Sequence, residues 1–339
     1  MSLGDPAFIY ASPTGANRMD AKGTDGPVIV TGGAGAVGSV LVRALLGRGA
    51  TVRVIDNLSS GRREHLPPPE PGRLSLTVAD VNAPSSYASE FQGAREVWHL
   101  AASADIRRGV TDPRVDLEQG TLATFHVLEA ARQHDVPRFL FSSSSVVYGW
   151  PKVLPTPEDY GPLEPESLYA AAKLAGEGLC AAYAHLYGIR MYVFRFANIV
   201  GPAMTRGILY DFFEKLKRDP TRLEVLGDGR QSKSYLRTED CVDGMLLAGE
   251  RATELVNTYN LGSRDRISAR EIAEKVVAAH GGQARIECTG GTRGWKGDVP
   301  EQFLAIDRIE KLGWRPRWTS AQAIDRTISE MATDQGIRH

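Results

Sequence analysis

The 339-residue sequence predicts an α/β protein: a doubly wound parallel sheet with helices on both faces and a smaller α/β annex toward the C-terminus. Three observations predict it. Short β-branched runs alternate with segments of helical periodicity from residue 27 to residue 145, the alternation that parallel strands joined by crossover helices produce. The first run ends in a glycine turn that opens directly into a helix. Small, acidic and hydroxyl residues then gather at the C-terminal ends of the predicted strands, where such sheets take their ligands.

Residues 1–26 are small, polar and contain Gly and Pro. They read as a flexible leader, because Phe8-Ile-Tyr10 is too short for a signal-peptide core. Val28, Ile29 and Val30 form the first strand, β-branched and suited to burial on both faces. Gly32, Gly35 and Gly38 follow, and Ala36 and Val37 start a helix with apolar positions at Val40, Leu41, Ala44 and Leu45. Strand, glycine turn and helix form the entry to a dinucleotide-binding unit, with the helix N-terminus offering free N–H groups to a pyrophosphate. Thr51-Val-Arg-Val-Ile55 is the second strand and ends in Asp56, 24 positions past Gly32. An acid at about 20 residues from the turn holds an adenine-ribose 2′-hydroxyl and repels a 2′-phosphate. NAD is therefore expected over NADP, with Arg62 and Arg63 as the residues that argue the other way. Asn57, Ser59, Ser60 and Gly61 continue the cofactor-side loop, and Pro67, Pro68 and Pro69 mark a longer loop.

Leu74-Ser-Leu-Thr-Val78 is the third strand and leads to Asp80 and Val81. Glu96 to Leu100 is the fourth, followed by Ala101 and Ala102, small enough for a flat cofactor to lie across them. A helix is expected from about Asp112 to His134, with Leu122, Phe125, Val127, Leu128 and Ala131 on its apolar face. Phe139-Leu-Phe141 opens the fifth strand and runs into Ser142, Ser143, Ser144 and Ser145. Pro165 to about Tyr187 reads as a helix in which Tyr169 and Lys173, four apart, share a face. Tyrosine, with a pKa of about 10, is a weak base at neutral pH, and a nearby ammonium favours its phenolate. The alternative reading is a surface pair on an amphipathic helix. Further helices are expected at 209–218, 238–251, 268–280 and 320–331, with short strands at 223–226 and 284–288.

Lys plus Arg number 40 against 41 Asp plus Glu, which gives no broad basic surface for nucleic acid or membrane. Cys180, Cys241 and Cys288 lack metal-ligand spacing. An odd, sparse set of thiols points to a reducing compartment, the cytoplasm. No apolar run reaches the ~18–20 residues of a membrane span.

With these stretches in order, the sequence resembles the extended short-chain dehydrogenase/reductase family, and within it the nucleotide-sugar epimerases and dehydratases. The resemblance covers roughly residues 27–330. It rests on Thr31 to Gly38, Asp56-Asn57, His99 to Ala102, Ser142 to Gly149, Tyr169 to Lys173, Arg195 to Pro202, Gly227-Asp-Gly229, Tyr259 to Gly262 and Gly297-Asp-Val299. It implies a Rossmann-type domain over 27–200, a nucleotide-sugar annex over 201–332 with interleaved boundaries, and a tail at 333–339. It also implies tightly held NAD contacted by Leu100, Ser142, Tyr169 and Lys173, a catalytic trio of Ser144, Tyr169 and Lys173, and a homodimer through helices 112–134 and 168–187.

Ser145 and Val146 stand where dehydratases and decarboxylases of this family carry acids. The resemblance therefore implies a 4-epimerase: Tyr169 takes the proton of the sugar 4-hydroxyl, the carbon is oxidised, and the 4-keto sugar turns and is reduced on its other face. A net ketoreductase and a non-catalytic NAD-binding protein are the alternatives. Substrate contacts are expected from Ser144, Ser145, Tyr169 and Asn198. Lys233 is expected in place of a phosphate-binding arginine, with Arg293 or Lys296 as a second basic contact. Gly120 falls where relatives place an asparagine near the cofactor ribose. Arg206 resembles a loop base of UDP-glucuronate epimerases, and this favours UDP-glucuronate over UDP-glucose.

Overall fold

The computed structural model describes residues 26–103 and 105–334. All of the expected leader except Gly26, and residues 335–339 of the expected tail, lie outside the described residues. In chain order the first half contains β1 (Val28–Thr31), α1 (Ala36–Gly47), β2 (Val52–Asp56), β3 (Leu74–Val78), β4 (Glu96–His99), α2 (Arg114–Asp116), α3 (Ala123–Gln133), β5 (Arg138–Ser144) and α4 (Leu168–Tyr187). The second half contains β6 (Arg190–Phe196), β7 (Asn198–Val200), α5 (Ile208–Arg218), β8 (Arg222–Val225), β9 (Ser232–Lys233), β10 (Tyr235–Arg237), α6 (Thr238–Arg251), β11 (Val256–Leu261), β12 (Ile267–Ser268), α7 (Ala269–Ala279), β13 (Arg285–Cys288), β14 (Glu301–Gln302), α8 (Asp307–Glu310) and α9 (Ser320–Asp334).

Seven strands form one sheet in the order β11-β6-β5-β4-β1-β2-β3, and every pairing in it is parallel. Side chains alternate across the strands, so each run feeds two cores. Val28 and Val30 join Leu41, Leu45, Val242 and Met245 on the α1/α6 face. Ile29, between them, joins Phe139, Phe141, Val127 and Cys180 on the α3/α4 face. Continuous β-branched runs such as Val-Ile-Val are what burial on both faces demands.

The annex has its own core, built from α5, α7, α9, β8 and β10 around Phe213, Leu216, Ile272 and Ile324. The chain does not stay there after residue 200. It returns through α6 to add β11 to the edge of the main sheet, so the two regions interleave. No helix among the described residues is long and apolar enough to cross a membrane.

The sequence reading assigned no strand to β6 or β11. In β11 the apolar pattern is interrupted by Asn257 and Asn260, both buried. The Asn257 amide donates to the Met191 and Glu254 carbonyls, and the Asn260 amide donates to the carbonyls of Thr156 and Ala305. These bonds make burial of the polar groups tolerable, but they remove the periodicity on which sequence reading relies.

Helix α4 begins where Ser167 Oγ accepts the Ala170 N–H at 3.2 Å and ends at Gly188, whose φ of 70° fits the left-handed cap that glycine supplies. Its middle is pressed onto β5: a Cβ on Gly176 would lie 2.5 Å from Cζ of the buried Phe141 ring. Two glycines half a turn apart on one helix thus predict opposite signs. Gly178 has open space around it, so Gly178→Ala should stabilise by about 0.5–1 kcal/mol through reduced backbone entropy. Gly176→Ala should destabilise by about 1–3 kcal/mol through overpacking. Urea unfolding of the two variants checks the pair.

Candidate active site

A cavity of about 310 Å³ runs over the C-terminal ends of β1, β2, β4 and β5. Gly32, Gly35, Ala36, Val37 and Gly38 form its floor. A Cβ on Gly38 would stand 2.2 Å from the Gly32 carbonyl oxygen, and one on Gly32, where φ is 71°, would stand 2.7 Å from the Ala101 nitrogen. No side chain caps the start of α1, which leaves its N–H groups to a ligand.

Asp56 lines the wall at the end of β2. Its Oδ2 accepts the Ala34 N–H at 2.9 Å and its Oδ1 accepts the Leu58 N–H at 2.8 Å. The glycine turn and the acid are therefore fixed to each other before any ligand arrives. Asn57, Ser59, Ser60, Gly61, Val81, Leu100, Ala101, Ala102 and Ser142 complete the wall. Asp80 does not line it. Its carboxylate accepts from Asn57 Nδ2 at 3.1 Å and from the Asn82 N–H at 2.9 Å, so it braces the loop instead. Arg62 and Arg63 are exposed and off the wall. A cradle that a Cβ would fill, beside the Asp56 carboxylate and with Arg62 and Arg63 off the wall, fits NAD.

At the other end of this cavity stand Tyr169 and Lys173. Lys173 is 4% exposed, and its Nζ donates to the Ser142 carbonyl at 2.6 Å. Burial pulls its pKa down to about 8, because a desolvated ammonium is disfavoured. Burial, with the Asp116 charge second, pushes the Tyr169 phenol up to about 12. The expected lowering by Lys173 is outweighed here: Nζ sits 5.8 Å from the tyrosine ring centre. Asp116 is itself buried with both carboxyl oxygens unpartnered, and burial raises its pKa.

The serine run divides its labour. Ser142 and Ser143 face the cofactor cavity, and Ser143 Oγ donates to Glu177 at 2.5 Å. Ser144 is half-buried at the end of β5, where its Oγ accepts the Val146 N–H at 3.4 Å. Ser145, expected at the substrate, is buried, and its hydroxyl donates to the Phe196 carbonyl at 2.7 Å. It ties the turn to β6 and is not on the cavity wall.

A second cavity of about 330 Å³ adjoins the first, and Ile199, Met204 and Arg206 line both. Asn198 and Lys233 are on its wall. Lys233 Nζ pairs with Asp298 at 2.6 Å. Arg206 pairs with Asp105 at 3.0 Å, and Arg107 bridges Asp105 and Asp211. Arg293 is off the wall. It pairs with Glu166 at 2.8 Å and lies over the Trp150 ring. Gly294, Trp295 and Gly297 from the same loop reach the wall instead. Gly120 contacts no cavity and is seated on Ala172. Val146, Trp295 and Gln302 were missed. A single hydrophobic or amide side chain carries no sequence signal of a site.

The Lys173 shift has a definite sign in stability. A folded-state pKa near 8, below the unfolded value of about 10.4, means that the unfolded chain holds more protons between those values. Stability from this group therefore rises with pH across that window. In cofactor-stripped protein, Lys173→Met should remove that contribution, so wild type should gain urea stability relative to the variant from pH 8 to pH 10.

Known proteins were compared with this architecture. A 34% identical relative, the UDP-glucose 4-epimerase of Mycolicibacterium smegmatis, aligns over 88% of this chain and 96% of its own. A putative UDP-glucose 4-epimerase of Methanocaldococcus jannaschii is 29% identical over 90% and 98%. Among solved structures, a UDP-galactose 4-epimerase superposes with TM-score 0.83 at 41% identity, covering 91% of this chain and 99% of that one. The Thermus thermophilus UDP-glucose 4-epimerase complex with NAD gives 0.80 at 30% identity, covering 89% and 98%. The model of the NAD dependent epimerase/dehydratase family matches residues 28–262, the stretch that holds the glycine turn, Asp56, Tyr169 and Lys173, and the chain belongs to that family.

Proposed function

We propose that this chain is a UDP-hexose 4-epimerase interconverting UDP-glucose and UDP-galactose, with NAD retained through the cycle. The observation that carries this is the state of the acids around the sugar cavity. Its wall carboxylates are Asp105, Asp211 and Asp298, and each is held in an ion pair. The position after Ser145 is the apolar Val146. Elimination or decarboxylation needs a free acid or base beyond C4, and among the described residues no unpaired carboxylate lines this cavity. Tyr169 and Lys173 are left to manage one carbon. When bound, NAD supplies a hydride acceptor restored within the same turnover. Tyr169 Oη takes the proton of the 4-hydroxyl and later returns it, Lys173 holds positive charge beside it, and Ser144 hydrogen-bonds the same hydroxyl. The names of the relatives support the same sugars.

A second reading, UDP-glucuronate, is favoured by Arg206, a guanidinium lining both cavities that could take a C6 carboxylate bidentately. A uronate has to displace Asp105 from it, at a cost of about 0–1 kcal/mol for so exposed a pair, and it is the names of the relatives that favour the neutral hexose. Purified protein given either sugar without added NAD should convert UDP-glucose to its C4 epimer and the glucuronate more slowly. Tyr169→Phe should lose about 10²–10⁴-fold in turnover while NAD stays bound. Asp105→Asn should shift preference toward the glucuronate. Stoichiometric NADH consumption, or no epimer from either sugar, would sink the reading.

We further propose a homodimer. Leu117, Leu122 and Phe125 on the helix after β4, and Leu168, Leu186 and Tyr187 on α4, are exposed apolar side chains on the two helices expected at the interface. Sedimentation should give twice the 36.9 kDa chain mass, and Leu186→Glu should halve it. Free thiols at Cys180, Cys241 and Cys288 suit a reducing compartment such as the cytoplasm.

A further inference from the structure

We propose that Gln119 is a cofactor-binding residue, its side-chain amide holding the ribose diol on the nicotinamide side of NAD. The inference does not depend on which sugar the enzyme turns over. It starts from a change of winding. Between α2 and α3 the helix widens to a π-helical stretch, Leu117–Leu122. Such a turn displaces side chains from the ordinary helical register and recurs at functional sites.

The wide turn is held from beneath by a chain of buried hydrogen bonds. Thr124 Oγ1 donates to the Gly120 carbonyl at 2.7 Å. A hydroxyl has one proton, so Thr124 Oγ1 must accept at its other contact, His99 Nε2 at 3.2 Å. That places the His99 proton on Nε2 and leaves Nδ1 to accept from the Thr31 hydroxyl at 2.7 Å. Burial, with the Lys173 charge second, pushes the His99 pKa down to about 3, so the ring stays neutral and the chain keeps this direction. Thr31 immediately precedes Gly32, so the turn that cradles the dinucleotide is wired to the π stretch.

Gly120 then fixes the depth. A Cβ there would lie 2.7 Å from the Cβ of Ala172, the neighbour of Lys173. The helix is pressed onto α4 at that point, and position 120 can carry no side chain into the cavity. Position 119 does: of the π stretch, only Gln119 lines the cofactor cavity, with Tyr169 and Lys173. It is half-buried, and among the described residues its amide has no hydrogen-bond partner. The adenine side of the cavity is committed to Asp56 and the phosphates to the glycine turn. What remains toward Tyr169 is the second ribose. An amide with one acceptor and two donors suits two adjacent hydroxyls, each of which gives and takes a hydrogen bond.

Cofactor-stripped Gln119→Met, similar in length but without hydrogen bonds, tests this by titration with NAD, ADP-ribose and ADP. The expected result is roughly tenfold weaker binding of NAD and ADP-ribose, with ADP unchanged and resident NAD lost on gel filtration. Gln119→Ala, which cannot crowd the wall, should behave alike. Unchanged NAD affinity in either variant overturns the proposal. So does an equal loss for ADP, which would mean general damage to the cavity, or a loss confined to NAD with ADP-ribose unaffected, which would move the contact off the ribose.

Discussion

The buried ammonium of Lys173 against the Ser142 carbonyl is the constraint around which the rest of the site is arranged. Taking a charge out of water costs several kcal/mol unless its surroundings repay it, and here one short bond to the end of β5 does much of that. The carbonyl has to stay where it is, so β5 and α4 have to stay in register. Gly176 on Phe141 and Gly120 on Ala172 are the close approaches that make this possible. One turn further, Glu177 takes Arg195 and Ser143, fastening the same helix to β6 and to the serine run. Tyr169, one turn before Lys173, is carried into place by that fastening.

The electrostatics of the pair follow from the same burial. Tyr169 is pushed up to about 12 and Lys173 down to about 8, so burial holds the phenol neutral while Lys173 still carries its proton near neutral pH. A tyrosine at that value is a poor proton acceptor near neutrality. Any positive charge brought into the cavity favours the phenolate, and oxidised nicotinamide is such a charge. The arrangement therefore couples readiness for proton transfer to the presence of the oxidant, and discourages chemistry on an incompletely loaded site.

The parts legible in the sequence were those whose chemistry forces a residue type. Gly32 and Gly38 admit no Cβ, Asp56 is an acid at the spacing that suits a ribose, and Tyr169 and Lys173 declare themselves by their spacing; all five reach the cofactor cavity. What failed were choices made by tertiary contacts. Ser145 and Asp80 are chemically able to bind ligands, but a carbonyl of β6 and two asparagines claim them. Arg293 is claimed by Glu166. Strand β11 hides its period behind two buried asparagines that find backbone partners. Gln119 was illegible because its placement depends on a π turn, which no local propensity announces.

The annex shows why its basic residues were the hardest to assign. Lys233, Arg206 and Arg293 each already hold a carboxylate. A nucleotide diphosphate carries its own negative charge, so binding exchanges one partner for another and does not fill bare cationic sites. Pairs as exposed as Arg206–Asp105, at 47% and 25%, hold by about 0–1 kcal/mol, so they exchange readily. Lys233 is different: Asp298 is almost fully buried and also accepts the Gly294 N–H at 3.0 Å. Withdrawing Lys233 would leave a buried carboxylate short of a partner, at a cost of about 1–3 kcal/mol. A contact from Lys233 to a diphosphate would therefore be made from within its pair, adding charge to the cavity wall without leaving Asp298. A single rotatable ammonium with three donors can bond both at once, which a planar guanidinium engaged bidentately does less readily. On this argument lysine in place of arginine at position 233 is a consequence of Asp298 standing beneath it.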